Sequence, residues 1–216
     1  MDKPKAILFD FDGVLADTLD DLFLSWKYAF SKFNVNIKKE DYFLLEGMNV
    51  LKIAKNISKK YGLIIDDYKK IVEIKNKFYL ENHSFNFYDG VFELIDILKQ
   101  ENILIGIVSA SPKEKLEKTV PKGFLEKFDV VISGDDVELG KPNPDPYLVA
   151  IKNLNLNPKE CVVVENAPLG IKSAKSAGIF CIAICSTLEK SYLNEADIII
   201  ESFKDLKNTK ILKKLF

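Results

Sequence analysis

Two acidic side chains, Asp10 and Asp12, follow directly after a short apolar run at residues 6–9. Side chains alternate along an extended chain, so the two carboxylates lie on one side, about 6–7 Å apart along the backbone. Burying both is costly without a partner, and a hard cation such as Mg2+, which prefers oxygen ligands, removes the repulsion. Gly13 allows a tight turn that brings backbone N–H groups close to an anion. The same residues also fit a strand that ends in an acidic surface turn.

The elements that position these side chains follow from the pattern of apolar residues. Apolar runs predict strands at residues 6–9, 103–108, 128–132, 161–164, 180–184 and 198–200. Helical periodicity predicts helices at residues 19–33, 40–45, 50–61, 66–81, 91–100, 113–120, 146–154 and 169–177. Apolar strands that alternate with helices predict an α/β fold whose parallel sheet is covered on both faces. Ligands of such sheets bind beyond the carboxyl ends of the strands.

The region between the first two strands has helical patterns only. We therefore predict a Rossmann-like catalytic core from residues 1–17 and 89–216, and an all-helical cap from residues 18–88. Thr18 is expected to cap the first cap helix, which begins at Leu19.

Further polar side chains follow the later strands. Ser109 follows the second strand, Lys141 lies in the loop after the third, and Glu165 and Asn166 follow the fourth. An ammonium group is a compact charge that neutralises phosphoryl oxygens, and an amide oxygen can bind Mg2+. Each also has a structural interpretation: Ser109 as a helix cap, Lys141 as an exposed loop lysine, and Asn166 as a turn residue.

The string ILFDFDGVLADT at residues 7–18 resembles the DxDGxxxDT signature of the haloacid dehalogenase (HAD) superfamily. The string GKPNPDPY at residues 140–147 resembles the lysine motif of that superfamily. The resemblance implies that Asp10 is a nucleophile that forms an aspartyl-phosphate, and that Asp12, protonated, gives a proton to the leaving alcohol and later accepts one from water.

The resemblance also implies how phosphate and metal are bound. Ser109 and Lys141 would hold the transferring phosphoryl group, together with backbone N–H groups near these residues: Phe11, Asp12, Gly13 and Ala110. Mg2+ would be bound by a carboxylate oxygen of Asp10, the backbone carbonyl of Asp12 and the Glu165–Asn166 turn. Members of the superfamily commonly carry two acids at this turn, so Asn166 removes one negative charge from the site.

The position and helical pattern of the insert resemble the cap of the phosphoglycolate phosphatase and beta-phosphoglucomutase branch. That likeness implies that the loop Gly47-Met48-Asn49 approaches the active site; a plain turn between helices is the alternative. Two lysines, Lys52 and Lys77, are candidate clamps for a distal substrate group. The mutases of the branch use an Arg and a His in the cap. This chain contains no arginine, and the corresponding residues are Val50 and Leu22.

These observations predict an Mg2+-dependent phosphatase that acts on a small phosphorylated metabolite resembling phosphoglycolate or a sugar phosphate. A phosphosugar mutase is the first alternative, and a non-catalytic protein that binds a phosphorylated ligand is the second. A receiver-type signalling module would be shorter and uncapped, with its acceptor after a middle strand. A dehalogenase would lack the acid at Asp12.

Composition excludes other classes of protein. The 216 residues carry a net charge of −1, which provides no basic field for nucleic acid. No apolar run approaches membrane-spanning length, and the N-terminus lacks the pattern of a signal peptide. Three cysteines, an odd number beside apolar runs, predict buried free thiols in a reducing compartment. We therefore expect a cytoplasmic protein with no nucleic-acid or membrane partner, monomeric, with a dimer as the alternative.

Overall fold

The first strand, β1 (Ala6–Phe9), lies in the middle of a parallel sheet. The structure, a computed structural model, describes residues 3–210 and 212–214. Within these residues the sheet has six strands in the order β3-β2-β1-β4-β5-β6. The other strands are β2 (Leu104–Val108), β3 (Val130–Ile132), β4 (Cys161–Glu165), β5 (Phe180–Ile184) and β6 (Ile198–Ile200). Since β2 and β4 flank β1, the residues after all three strands emerge at one edge of the sheet.

The helices lie where the apolar pattern predicts them, with ends that differ by at most three residues. They are α1 (Leu19–Ser31), α2 (Lys39–Phe43), α3 (Val50–Lys60), α4 (Lys69–Asn82), α5 (Val91–Gln100), α6 (Lys113–Thr119), α7 (Asp145–Asn153) and α8 (Pro168–Ser176). Alternate residues of β1 enter opposite halves of the core. Leu8 packs on the side of α7 and α8, and Ile7 on the side of α5. The predicted α/β sheet with its helical insert is therefore confirmed.

Helices α1 to α4 form the insert between β1 and the rest of the sheet. Its two connections to the core run side by side. The N–H of Asp17 donates to the carbonyl of Asn86 at 2.9 Å, and the N–H of Tyr88 donates to the carbonyl of Leu15 at 3.0 Å. This pair of adjacent segments is the narrow attachment on which a cap could turn; the domain boundaries at residues 18 and 88 remain a prediction.

Thr18 does not cap α1, contrary to the expectation from sequence. Its side chain makes no capping hydrogen bond, and its hydroxyl donates instead to Asp12 Oδ1 at 2.6 Å. The backbone of Thr18 has φ −119° and ψ −4° instead of the extended conformation usual for an N-cap residue, and its hydroxyl is directed to the Asp12 carboxylate, a strong acceptor.

The remaining predictions concern the thiols and the membrane. Cys161, Cys181 and Cys185 are free thiols, the first two buried. Along the described residues, no helix has both the length and the apolar character needed to cross a membrane.

Candidate active site

The predicted core residues meet at the carboxyl end of the sheet. Asp10, Ser109 and Glu165 lie at the ends of β1, β2 and β4, and the loop after β3 brings Lys141 to them. All four side chains are buried. Ser109 Oγ accepts a hydrogen bond from the N–H of Ser111 at 3.1 Å, so it turns the loop toward α6 as well as lining the cavity.

Lys141 joins two carboxylates. Its ammonium group donates to Asp10 Oδ1 at 2.5 Å, to Glu165 Oε1 at 2.6 Å and to the carbonyl of Val108 at 3.0 Å. Burial alone would lower the pKa of Lys141, but the two carboxylates hold it well above its usual value. The lysine is therefore a permanent positive charge, fixed beside the carboxylate predicted to be the nucleophile.

Burial, together with the nearby carboxylates of Glu165 and Asp12, raises the pKa of Asp10 to about 8 against the opposing effect of Lys141. Apart from Lys141, the surroundings of Asp10 therefore disfavour its ionised form. A divalent cation at this carboxylate would favour the ionised, nucleophilic form.

Asp12 is held in the ionised form. Although burial opposes it, the ammonium of Lys115 and the hydroxyls of Thr18 and Ser111 lower the pKa of Asp12. Ser111 Oγ donates to Asp12 Oδ2 at 3.0 Å, and Lys115 Nζ lies 3.3 Å from the same oxygen. The sequence indicated neither Lys115 nor its pairing with Asp12. In the absence of substrate these neighbours favour the ionised form of Asp12, and its expected role as the proton donor to the leaving alcohol remains a prediction.

Both oxygens of Glu165 already have partners. Oε1 accepts from Lys141 and from the Tyr147 hydroxyl at 2.8 Å, and Oε2 accepts from the backbone N–H groups of Asn166 at 3.1 Å and Ala167 at 3.3 Å. A Cβ atom at Gly170 would overlap this carboxylate, so glycine is required there. In the described arrangement Glu165 positions Lys141; its predicted role as a metal ligand remains a prediction.

Asn166 presents an unpaired oxygen. The residue is fully buried, and its Oδ1 has no hydrogen-bond partner among the residues that the structure describes. No group of three or more His, Cys, Asp or Glu side chains in this part of the chain has the spacing of a metal site. Backbone and amide oxygens would therefore have to complete the ligand set. The amide nitrogen of Asn166 lies against Gly13, so the side chain sits beside the predicted ligands, and its unpaired buried oxygen is a donor type that a hard cation such as Mg2+ accepts.

The cap loop reaches this site, as its resemblance to the cap loop of the branch implied. A Cβ atom at Gly47, which has a φ of 82°, would lie 3.3 Å from the Lys141 side chain. Gly47 and Met48 line the main cavity, whereas Asn49 caps α3 by accepting from the N–H of Leu51 at 3.0 Å.

The Gly13 N–H donates to the carbonyl of Ala16 at 2.8 Å, so this predicted phosphate-binding group is already used.

The residue before Gly47 was not predicted from sequence. Glu46 is buried, and its carboxylate lies 3.3–3.4 Å from the side-chain nitrogen of Asn166. Burial raises the pKa of Glu46 well above its usual value, and the carboxylates of Asp10 and Asp12 add to the effect. A cap carboxylate thus lies within the electrostatic reach of Asp10 and Asp12.

A cavity of about 260 Å³ separates the cap from Asp10 and Asp12. Its core side includes Asp10, Asp12 and Ser109, and its cap side is mainly apolar and aromatic, with Leu22, Trp26, Tyr42, Val50 and Tyr79. Lys77 is exposed and does not line this cavity, and the exposed Lys52 lines a smaller cavity next to Lys141. The volume of the main cavity lies just below the range of about 300–1,000 Å³ that is usual for small-molecule pockets, so the cavity suits a small ligand.

The buried lysine of the cap is Lys75. Its ammonium lies 5.6 Å from the Trp26 ring and 5.3 Å from the Tyr79 ring, and it pairs with no carboxylate among the described ion pairs. Burial, together with the nearby Lys115, lowers the pKa of Lys75 to about 7. A sequence signal existed: Lys75 lies four residues from both Ile71 and Tyr79, on the buried stripe of α4.

Comparisons with known proteins agree with this fold. The profile of haloacid dehalogenase-like hydrolases matches residues 7–184. The phosphorylated carbohydrates phosphatase of Thermotoga maritima is 31% identical over 183 residues, which cover 81% of this chain and 82% of that protein. Validoxylamine A 7'-phosphate phosphatase of Streptomyces hygroscopicus subsp. limoneus is 38% identical over 120 residues, covering 55% of this chain and just over half, 56%, of that protein. The crystal structure of beta-phosphoglucomutase from Clostridium difficile aligns with a TM-score of 0.83 at 27% identity, covering 98% of this chain and 97% of that chain.

Proposed function

The chain belongs to the haloacid dehalogenase-like hydrolase family, and we propose that it is an Mg2+-dependent phosphatase of small phosphorylated metabolites. The observation that carries the proposal is the buried carboxylate of Asp10 at the floor of the cavity, hydrogen-bonded to the permanently charged Lys141. A carboxylate in this setting is suited to attack phosphorus while an adjacent ammonium neutralises phosphoryl oxygens.

In the first step a carboxylate oxygen of Asp10 attacks phosphorus, the ester P–O bond breaks, the leaving oxygen takes the proton of Asp12, and an aspartyl-phosphate forms. In the second step water attacks phosphorus, the bond to Asp10 breaks, and the proton of water passes to Asp12. The environment of Asp12 favours this second role, because Lys115 stabilises its ionised form. When an anionic group of the substrate binds Lys115, the ion pair between Lys115 and Asp12 becomes weaker. The protonated form of Asp12, which the first step requires, is then favoured.

The metal would be held by the Asp10 carboxylate, the Asp12 backbone carbonyl and the unpaired oxygen of Asn166, with Glu165 as the remaining candidate. When bound, Mg2+ supplies positive charge that withdraws electron density from the phosphoryl oxygens. Ser109 and Lys141 orient the phosphoryl group, and the cap side of the cavity excludes bulk water.

The test is phosphate release from a panel of esters, with Mg2+ or with EDTA. The panel contains p-nitrophenyl phosphate, 2-phosphoglycolate, hexose phosphates and β-glucose 1-phosphate. We expect release that depends on Mg2+ and is fastest for one class of small ester. Release that is unchanged in EDTA would overturn the metal dependence, and the absence of release from every ester would overturn the phosphatase.

A mutase is the second candidate, because the aligned beta-phosphoglucomutase covers nearly all of this chain. The cavity argues against it, since apolar Leu22 and Val50 line the wall where the mutase resemblance requires a histidine and an arginine. Formation of glucose 6-phosphate from β-glucose 1-phosphate in the presence of a sugar bisphosphate, without net phosphate release, would favour the mutase.

Because the buried ammonium group of Lys75 lines the cavity, we predict that the enzyme prefers substrates with a second anionic group. In Lys75→Met we expect kcat/KM for 2-phosphoglycolate to fall about 10–100-fold, the value of a lost hydrogen bond between charged groups. The matched uncharged ester, 2-hydroxyethyl phosphate, should be hydrolysed as before. Lys77→Met, two residues away on the exposed face of α4, is the control and should change neither rate.

The pH dependence of this preference has a defined sign. Burial lowers the pKa of Lys75 to about 7, so the free enzyme loses this charge as the pH rises through that value. We therefore expect kcat/KM for 2-phosphoglycolate, relative to the uncharged ester, to decline above about pH 7 in the wild type and to be flat in Lys75→Met. A ratio that does not change with pH in the wild type would contradict this role.

A further inference from the structure

Glu46 is a buried carboxylate without a cation. It takes part in none of the ion pairs that the described residues form, and its only hydrogen-bond partner there is the Asn166 amide, at 3.3–3.4 Å. These distances are long for a hydrogen bond to a charged acceptor. A carboxylate removed from water in this way is costly unless a positive charge approaches it.

The position of Glu46 matches a deficit in the core. The resemblance places an acid at residue 166, and this chain has an amide there, so the core provides one negative charge fewer. Glu46 brings a carboxylate to that same amide from the cap, 120 residues away in sequence. The negative charge that residue 166 does not provide on the core side of the cleft is thus provided by Glu46 on the cap side.

The charges of the site favour a divalent cation. Four carboxylates surround it, those of Asp10, Asp12, Glu46 and Glu165, and two ammonium groups, those of Lys141 and Lys115, pair with them. When all four carboxylates are ionised, the cluster has an excess of two negative charges, which one divalent cation would neutralise. The unpaired Oδ1 of the fully buried Asn166 is an independent observation that points to a ligand here.

We propose that Glu46 supplies, from the cap, the negative charge that Asn166 does not, so that the affinity for a divalent cation depends on this cap carboxylate. The inference rests on the proposed function, since it assumes that the site binds Mg2+. It goes beyond that function by making metal binding and closure of the cap mutually dependent. By linkage, a cation that is bound more tightly in the closed form favours closure by the same factor.

The experiment is a calorimetric titration of the protein with MgCl2 alone, without substrate, supported by thermal melting in EDTA and in Mg2+. We expect Glu46→Gln to weaken Mg2+ binding about tenfold or more, because affinity follows the number of charged ligands. In EDTA the variant should melt at or above the wild-type temperature, since it lacks a buried carboxylate among like charges. The increase in melting temperature caused by Mg2+ should be smaller in the variant.

Two further variants make the test specific. Asn166→Asp should bind Mg2+ about tenfold more tightly, and Glu46→Gln combined with Asn166→Asp should return to within about threefold of the wild type. Glu40→Gln removes an exposed cap carboxylate that also contacts the core, through the hydroxyl of Tyr192 at 2.6 Å, and is the control. It should leave Mg2+ binding unchanged.

The outcomes separate the two levels of the hypothesis. A wild-type protein that does not bind Mg2+ overturns the proposed metal site, and this inference with it. A wild type that binds Mg2+ while Glu46→Gln binds it equally well overturns the role of Glu46 alone. The role is also overturned if the double variant stays as weak as Glu46→Gln, if Asn166→Asp fails to bind more tightly, or if Glu40→Gln is weakened equally.

Discussion

Asp10→Asn is expected to reduce phosphate release from every substrate by at least about 10⁴-fold, as loss of a nucleophile does in other enzymes with covalent intermediates. The amide is nearly the same size as the carboxylate but is not nucleophilic, and it still accepts a hydrogen bond from Lys141 through its oxygen. The measurement is the steady-state rate with p-nitrophenyl phosphate. Asp20→Asn, which neutralises an exposed acid in the first turn of α1, is the control.

A companion variant distinguishes nucleophile from acid–base residue. In Asp12→Asn we expect a loss of about 10²–10⁴-fold, the usual contribution of general acid–base catalysis. The p-nitrophenolate group leaves without a proton, so Asp10 can still be phosphorylated, whereas the attack of water is slowed. Intact-protein mass spectrometry should then show one phosphoryl group that is absent from Asp10→Asn. If Asp12→Asn shows no phosphorylated protein while the wild type turns over, the assignment of the two aspartates is wrong.

Lys141→Met is expected to lower both activity and stability. Removal of the ammonium leaves Asp10 and Glu165 buried without their cation, a situation that costs about 3–5 kcal/mol in buried ion pairs. Activity should fall about 10²–10³-fold, because a fixed positive charge near the reacting group is lost. Urea unfolding in EDTA and phosphate release in Mg2+ measure the two effects.

A second substitution separates these two effects. Adding Glu165→Gln to Lys141→Met removes one of the stranded carboxylates, so part of the lost free energy of unfolding should return while activity stays low. Equal stability of the single and double variants would show that Glu165 does not depend on Lys141 for its burial. The hydrogen bonds that Glu165 accepts from Tyr147 and Ala167 would then be sufficient to hold it.

The sheet and the core site could be predicted because their signals are local. The apolar strands, the acids that follow β1 and the lysine motif each occupy a few adjacent residues, and parallel topology alone brings the ends of neighbouring strands together. The resemblance to the superfamily is confirmed by the family match over residues 7–184.

The cap contacts could not be predicted in the same way. Lys75 shares the buried stripe of α4 with Ile71 and Tyr79, a signal that the choice of Lys77, on the nearly opposite face, overlooked. That this stripe faces the cavity depends on how the helix packs. Whether Glu46 meets Asn166 depends on how the cap docks on the core, which no local pattern encodes. Thr18 was misjudged because two acceptable hydrogen-bonding roles competed, and only the tertiary structure decides between them.

The narrow attachment at Leu15–Asp17 and Asn86–Tyr88 has a consequence for substrate selection. Thr18, which holds Asp12, directly follows this attachment, while Glu46 and Lys75 lie farther along on the cap. If a molecule is too bulky for the cap to close over it, Thr18, Glu46 and Lys75 do not reach their places in the site. Such a molecule therefore fits poorly and also meets a site that lacks part of the catalytic machinery. The enzyme would therefore select against large phosphoesters by a low turnover rate, even when their phosphoryl group reaches Asp10.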